Sequence, residues 1–136
     1  MQVFLSHAAQ DKDAARLLAM KLRAAGIVVW RRGDEIYPGD NWAKKIGEAL
    51  EQSEQMIVLL AAGSFAASDS LRHEVEYALG SLNYRDRVVT VFVGPRESVE
   101  NEVPWVLRLL PVVQLESLDE ATAVDQVVEQ IATLQK

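Results

Sequence analysis

The chain has 136 residues, of which 49% are hydrophobic, and a formal net charge of −6 at neutral pH. That length suits one domain with its own core, spanning residues 1–136. Cysteine is absent, which excludes disulfides and thiolate metal sites, and two histidines are too few for a zinc cluster. The acidic balance disfavours nucleic-acid binding, which needs a local surplus of lysine and arginine.

Membrane insertion and secretion are also disfavoured. No apolar segment approaches the roughly 20 residues that a bilayer-spanning helix needs. The apolar run after Met1-Gln2 is three residues long, far shorter than the apolar core of a signal peptide. We therefore expect a cytoplasmic protein that does not bind membranes.

Short apolar runs alternate with amphipathic stretches, a pattern typical of βα units and a parallel sheet. The first strand is predicted at residues 3–5, before a helix that Asp11 or Asp13 caps and Gly26 ends. The second strand is predicted at 27–30. Two glycines and a proline then predict a loop at 31–39.

In the next part of the chain, Asp40 is predicted to cap a helix. Its apolar face comprises Trp42, Ile46, Ala49 and Leu50. An apolar strand at 56–61, a loop at 63–69 and a helix at 71–79 follow.

The last third begins with a strand at 88–93. Residues 97–110 indicate a short helix or a turn, and a shorter strand is expected at 112–115. Ser117 and Glu120 have the spacing of a capping box before the final helix. The apolar stripe of that helix is Val124, Val127, Val128, Ile131 and Leu134.

Five strands alternating with helices predict a flavodoxin-like, doubly wound α/β fold. The expected strand order is 2-1-3-4-5, in three layers, α/β/α. In such sheets ligands bind beyond the carboxyl ends of the strands, where the strand order reverses. This rule selects residues 6–8 and the loops at 31–39 and 63–69.

Several chemistries do not fit these segments. The chain has neither G-x-x-x-x-G-K-[ST] nor G-x-G-x-x-G. A receiver domain needs an acidic cluster after strand 1 and an aspartate after strand 3, and neither is present. Ser6 and His7 are adjacent in a strand, so they point in opposite directions and do not suit a Ser–His catalytic pair.

The carboxylates on the third long helix are the remaining candidates for a catalytic group. Glu74 and Glu76 are separated by about 200° around the helix, so they cannot face one site together. Glu74 lies about one turn into the helix and can face the strand ends, whereas Glu76 is expected to face solvent. From the residues alone, the simpler interpretation of Glu74 is a helix-start carboxylate that interacts with the helix dipole.

Four sequence boxes resemble Toll/interleukin receptor (TIR) domains. Residues 3–8, VFLSHA, are similar to the first-strand box, and GIVVW at 26–30 with PGDNW at 38–42 resembles the second strand and the mobile BB loop. Residues 53–60, then Ser64, Ser68 and RHEVEYAL at 72–79, resemble the third strand and catalytic helix of bacterial members. The resemblance is collinear from residue 3 to about 93.

The resemblance implies cleavage of the nicotinamide–ribose bond of NAD, which yields nicotinamide with ADP-ribose or a cyclic isomer. Glu74 aligns with the catalytic glutamate, which holds the ribose and stabilises developing positive charge. NAD is then the substrate, and no further cofactor or metal is implied. The residues implied to bind NAD are Ser6, His7, Ala8, Asp34, Ile36, Trp42, Ser64 and Ser70. For Trp42, a core anchor at the helix start is an equally good interpretation.

The chain departs from the family pattern at two positions. Many active members carry tryptophan where Ser70 stands, four residues before the glutamate. An acidic residue commonly occupies the position of Arg32, so either Asp34 takes over its role or the loop differs. Arg31 and Arg32 are interpreted as solvated loop charges rather than pyrophosphate ligands.

The resemblance also implies partners. Active members self-assemble through the BB loop, residues 31–39 here, as homo-oligomers or filaments. They act with fused or separate sensor proteins in defence against phage. The alternative is a non-catalytic module that only binds other TIR domains. Glu74 favours the enzyme, and Ser70 favours the alternative.

Overall fold

The computed structural model describes residues 2–81, 84, 86–119 and 123–134. Its strands are β1 (Gln2–His7), β2 (Val28–Trp30), β3 (Gln55–Leu60), β4 (Val88–Val93) and β5 (Val112–Leu115). They form one five-stranded parallel sheet in the order β2-β1-β3-β4-β5. The predicted sheet and strand order are confirmed, and β1 extends beyond the predicted residues to include Ser6 and His7.

The helices follow the strands in the predicted alternation. They are α1 (Lys12–Ala24), α2 (Arg32–Glu35), α3 (Trp42–Gln52), α4 (Ser64–Ala67), α5 (Asp69–Leu79), α6 (Val99–Glu102), α7 (Trp105–Arg108) and α8 (Ala123–Leu134). No helix among the described residues is long and apolar enough to cross a membrane. Glu120 and the Leu134 side chain, both part of predictions for the last helix, lie outside what the structure describes.

Two cores lie on opposite faces of the sheet. Helices α1 and α8 cover one face, where Leu18 and Val127 pack with Val3 and Leu5. Helices α3, α5 and α7 cover the other face around Phe4. Successive residues of a strand point to opposite faces, so β1 contributes to both cores. The three-layer α/β/α prediction is confirmed.

The same alternation positions the last residues of β1. Ser6 lies on the face of Phe4 and therefore points toward α5, whereas His7 lies on the face of Leu5, near α1. The prediction that Ser6 and His7 diverge is consistent with their contacts, because Ser6 bonds to α5 and His7 lines a groove beside α1. All six residues of the central strand β3 are buried, as its apolar run predicted.

The cap of α3 was predicted one residue too early. Asn41, not Asp40, is the N-cap, and its Oδ1 accepts a hydrogen bond from the backbone N–H of Lys44 at 3.1 Å. Asp40 instead accepts the N–H of Tyr37 at 2.8 Å and pairs with Lys45 at 2.9 Å. Asp and Asn have nearly equal capping preference, so their order could not be decided from residue type.

The prediction that the side chain of Asp11 or Asp13 caps α1 was wrong. Asp11 occupies the N-cap position, but its side chain makes no capping bond. Its carboxylate accepts the Ser64 hydroxyl at 2.5 Å instead, which ties the start of α1 to the segment after β3. Helix α5 begins at Asp69, and Ser68 caps it by accepting the N–H of Leu71 at 3.1 Å.

The segments predicted as loops at 31–39 and 63–69 each contain one turn of helix, α2 and α4. Residues 97–110 form short helical pieces, as their sequence indicated. These connections and the β1 end meet at the carboxyl edge of the sheet, where the strand order reverses.

Candidate active site

Glu74 is held on the buried face of α5. It falls within the stripe of Leu71, Val75 and Ala78, which packs into the core over β1 and β3. Residues three and four apart share one face of a helix, so a carboxylate at this place must enter the core with its neighbours. Glu74 is 4% exposed. The interpretation of Glu74 as a helix-start carboxylate is therefore wrong, because α5 begins at Asp69 and Glu74 lies beyond its first turn, with its carboxylate in the core.

Both oxygens of the Glu74 carboxylate have partners. The Ser6 hydroxyl donates to Oε1 at 2.6 Å, and the Arg32 guanidinium donates through Nη2 to Oε2 at 2.5 Å. Such hydrogen bonds to a charged group offset the cost of burying it. Three separate segments, the end of β1, the start of α2 and the middle of α5, thus meet at one carboxylate.

Arg31, Gly33 and Asp34 hold the turn that presents Arg32. The guanidinium of Arg31 makes two hydrogen bonds to the Asp34 carboxylate, at 3.1 and 2.6 Å, and Arg23 adds a third at 2.7 Å. A side chain at Gly33 would force that guanidinium to shift away from its present position, since an added Cβ would lie 2.7 Å from it. The hydrogen bonds from Arg31 and then Arg23 lower the pKa of Asp34 to about 2.

These contacts correct two expectations. Arg31 is buried and Arg32 is paired with Glu74, so neither is a freely solvated loop charge. The Asp34 carboxylate is occupied by Arg31 and Arg23. Asp34 therefore stabilises the turn, and Arg32 is the residue from this turn that reaches Glu74.

A cleft of about 330 Å³ lies between α3 and α5 and reaches Glu74. We call it the α3–α5 cleft; its lining residues are Trp42, Ile46, Leu50, Asp69, Ser70, His73, Glu74 and Tyr77. Trp42 is 63% exposed, so the core-anchor interpretation of this residue is wrong. The indole stands at the cleft instead, in the same lining as Ser70.

A second concavity, of about 510 Å³, lies beyond the ends of β1 and β2. We call it the cationic groove; it is lined by His7, Ala9, Lys12, Asp13, Arg16, Arg31, Arg32 and Gly33. Glu74 lines the cleft and Arg32 lines the groove. Their salt bridge therefore joins the two concavities.

The other residues expected at the site lie elsewhere. Ala8 is buried in the core between the sheet and α5. The hydroxyl of Ser64 is fully buried, donates to Asp11 and accepts the N–H of Ala61 at 2.9 Å. Ile36 is half-buried and lines neither the cleft nor the groove. The structure does not bring these three residues to the Glu74 carboxylate.

His7 lies in a cationic environment. Burial lowers its pKa from 6.5, and the nearby guanidinium groups of Arg31 and Arg32 lower it further. Two contacts act in the opposite direction: the Ala8 carbonyl, 2.9 Å from Nδ1, and the negative charge of Glu74. The net direction is downward, so the neutral imidazole is favoured in the folded chain.

This shift predicts a pH dependence of stability. Below pH 6.5 the unfolded chain takes up a proton at His7 more readily than the folded chain, so stability falls as the pH falls through this range. Between pH 7.5 and 5.5, wild type should lose up to about 1 kcal/mol more unfolding free energy than His7→Gln. Urea unfolding at both pH values measures this, with His73→Gln as the control at an exposed histidine. Equal losses in wild type and His7→Gln would contradict the prediction.

Sequence reasoning missed Arg32 as a partner of Glu74, and it missed the roles of His73 and Tyr77 as cleft walls. One signal was available for Glu74 itself. Leu71, Val75 and Ala78 mark the apolar face of α5, and Glu74 falls between them. No comparable local pattern identifies Arg32. Within the described ranges, no group of three or more histidine, aspartate or glutamate side chains is placed to hold a metal ion.

The fold and the site define a doubly wound α/β domain with a buried carboxylate at its topological switch point. The profile of the TIR domain family matches residues 3–128. The chain belongs to the TIR domain family.

Three known proteins are similar to parts or all of this chain. "NAD(+) hydrolase PdTIR" of Paracoccus denitrificans is 41% identical over 64 residues, which is 46% of this chain and 21% of that protein. The chain thus matches about one fifth of that relative's length. The TIR domain of the Toll-related receptor TRR-2 from Hydra magnipapillata has 19% identity and a TM-score of 0.73, with 98% of each chain covered. A metazoan TIR-STING receptor from C. gigas has 20% identity and a TM-score of 0.75, covering 98% of this chain and 39% of that one. At these identities the two structures support the fold alone.

Proposed function

We propose that this domain cleaves the bond between nicotinamide and ribose in NAD, with Glu74 as the catalytic residue. The observation that carries the proposal is the buried Glu74 carboxylate at the switch point, lying between a partly aromatic cleft and a cationic groove. Support also comes from the partial similarity to a protein named as an NAD hydrolase.

The chemistry needs few groups. Nicotinamide is cationic in NAD and leaves neutral, so its departure requires no general acid. The ribose acquires oxocarbenium character, and a carboxylate beside it stabilises that charge most strongly where water is excluded. Glu74 would supply the charge, and the Ser6 hydroxyl, 2.6 Å away, would orient the carboxylate. Attack by water then gives ADP-ribose, whereas attack by an adenine nitrogen gives a cyclic isomer.

The α3–α5 cleft suits the nicotinamide end of the substrate. Its exposed aromatic side chains, Trp42 and Tyr77, can pack against a planar ring. Because residue 70 is a serine, α5 contributes no aromatic side chain to the cleft at that position. We assign Trp42, from the start of α3, the stacking role that a tryptophan at position 70 would otherwise have.

We further propose that the domain acts as a self-assembling effector in the cytoplasm. The segment at 31–39 would contact a second TIR domain, and a fused or separate sensor would trigger assembly during phage defence. Because α2 in this segment carries Arg32, a neighbouring domain that moves the segment would also change the contact with Glu74.

One observation favours the alternative of a non-catalytic TIR–TIR interaction module. Both carboxylate oxygens of Glu74 are occupied by internal donors, which is how a purely structural carboxylate is held. An experiment is therefore needed that distinguishes an NAD-cleaving enzyme from a module that only self-associates.

Concentrated protein incubated with NAD is expected to release nicotinamide, with ADP-ribose or its cyclic isomer in equal amount. Chromatography of the reaction measures both products. Measurements at low and high protein concentration, with and without a crowding agent, test the dependence on assembly. Self-association without product, in conditions where the chain is folded, would favour the interaction module and contradict the enzyme.

A further inference from the structure

The cationic groove concentrates positive charge in a chain whose net charge is −6. Among the described residues that line it, Lys12, Arg16, Arg31 and Arg32 are cationic and Asp13 is the one carboxylate. Such an inversion of the overall charge in a concave surface attracts anions and focuses the field on them. The charge of the groove therefore favours binding of an anionic ligand.

The four cations differ in how fully they are neutralised. Arg31 is buried against Asp34, and Arg32 is paired with Glu74. Lys12 and Arg16 form no ion pair within the part of the chain that the structure describes, and both are exposed. They stand one turn apart on the same face of α1, so both ammonium and guanidinium groups can contact one ligand.

Arg32 belongs to the groove and to the catalytic carboxylate at once. Its Nη2 bonds to Glu74, while its Nε is buried without a hydrogen-bond partner among the described residues. An unpaired buried donor on a charged group is costly, so Arg32 gains from a second acceptor. A phosphate oxygen suits this fork of donors, because guanidinium groups bind phosphate through two parallel hydrogen bonds.

We propose that the groove binds the pyrophosphate of a dinucleotide through Lys12, Arg16 and Arg32, and that this binding draws Arg32 away from Glu74. The inference rests on the proposed function, because it places the nicotinamide ribose at Glu74 and the two phosphates next to it, in the groove. Phosphate binding then frees one carboxylate oxygen to hold the ribose. A substrate without phosphates leaves the Arg32–Glu74 pair closed.

The groove alone is tested with inorganic pyrophosphate, by titration calorimetry on the full chain. Wild type should bind it, and the double variant Lys12→Ala/Arg16→Ala should bind at least about tenfold more weakly, since it lacks two charged donors. The control Lys44→Ala/Arg96→Ala removes the same net charge at two exposed cations elsewhere and should bind as wild type does. Undetectable binding by wild type, or equal weakening in both double variants, would overturn the assignment.

The exchange at Arg32 is tested by comparing NAD with nicotinamide riboside, which carries no phosphate. Arg32→Gln should raise kcat/KM for the riboside by about tenfold, because the pair with Glu74 no longer has to open. The same variant should lower kcat/KM for NAD, because it loses a phosphate contact. Changes of equal size and direction for both substrates would contradict the exchange.

These measurements also separate this inference from the proposed function. If wild type binds pyrophosphate in the groove but cleaves neither compound, the catalytic assignment fails and phosphate binding stands without it. If NAD is cleaved with equal kcat/KM by wild type and by Lys12→Ala/Arg16→Ala, the catalytic assignment stands and the groove inference fails. Addition of pyrophosphate should also shift the imidazole NMR signals of His7, which lines the groove, and leave those of His73 unchanged.

Discussion

Replacement of Glu74 by glutamine is expected to lower nicotinamide release at least about 100-fold, the loss typical when one electrostatic stabiliser of a transition state is removed. Glutamine has nearly the same shape, and its carbonyl oxygen still accepts a hydrogen bond from Ser6. The amide carries no charge, however, so it cannot stabilise an oxocarbenium-like ribose. The fold should persist, because Arg32 is 36% exposed at its side chain and water can solvate it when the salt bridge is lost.

The experiment compares the initial rates of nicotinamide release by wild type, Glu74→Gln and Glu76→Gln. Glu76 lies two residues further along α5 and is exposed, so its variant makes the same chemical change away from the cleft and should retain full activity. Far-ultraviolet circular dichroism checks that all three proteins are folded. Equal rates for folded wild type and Glu74→Gln would show that Glu74 is not the catalytic residue.

Leu22→Ala should destabilise the domain by about 2–5 kcal/mol, the usual cost of truncating a fully buried leucine. Leu22 has no exposed surface and packs where α1 covers the sheet. The loss combines the transfer free energy of the removed carbons with the cavity that they leave. A decrease in Tm of about 10 °C is the corresponding thermal effect for a domain of this size.

Met20→Ala on the same helix is the matched control. Met20 is 59% exposed, so its truncation should change the unfolding free energy by no more than about 0.5 kcal/mol. Urea unfolding monitored by tryptophan fluorescence measures both variants. A loss at Met20 equal to that at Leu22 would mean that α1 is rotated relative to the sheet, and the assignment of its buried face would be wrong.

The stripes on α1 and α5 and the apolar run of β3 can be found in the sequence because they repeat over a few residues. The periodicity of apolar residues shows which face of a helix or strand is buried, and it was sufficient to predict the five strands. Their alternation with helices then predicted a parallel sheet and its strand order. The switch-point rule then places the ends of β1 and β2 beside the carboxylate-bearing helix. Glu74 was predicted as the catalytic residue through family resemblance, and its position in the apolar stripe of α5 separately indicated that it is buried.

The hydrogen-bond partners of Glu74 could not be predicted from local sequence patterns. Ser6 and Arg32 are 68 and 42 residues away from it in sequence, and only the packing of β1, β2 and α5 brings them together. Residue type did not predict the environment of Arg32 for the same reason. An arginine in a loop is expected to be solvated unless the fold brings a buried carboxylate next to it. Trp42 was equally ambiguous, because an indole at a helix start can be core or cleft wall, depending on what packs above it.

The sequence by itself thus determined the sheet, its order and the edge at which sheets of this kind bind ligands, since each follows from short-range periodicity and chain connectivity. Only the tertiary structure decided that Arg32 neutralises Glu74, that Asp34 is held by Arg31, and that Trp42 stands exposed at the α3–α5 cleft. Contacts between side chains far apart in sequence depend on how whole helices and strands pack. No local pattern of residues encodes them.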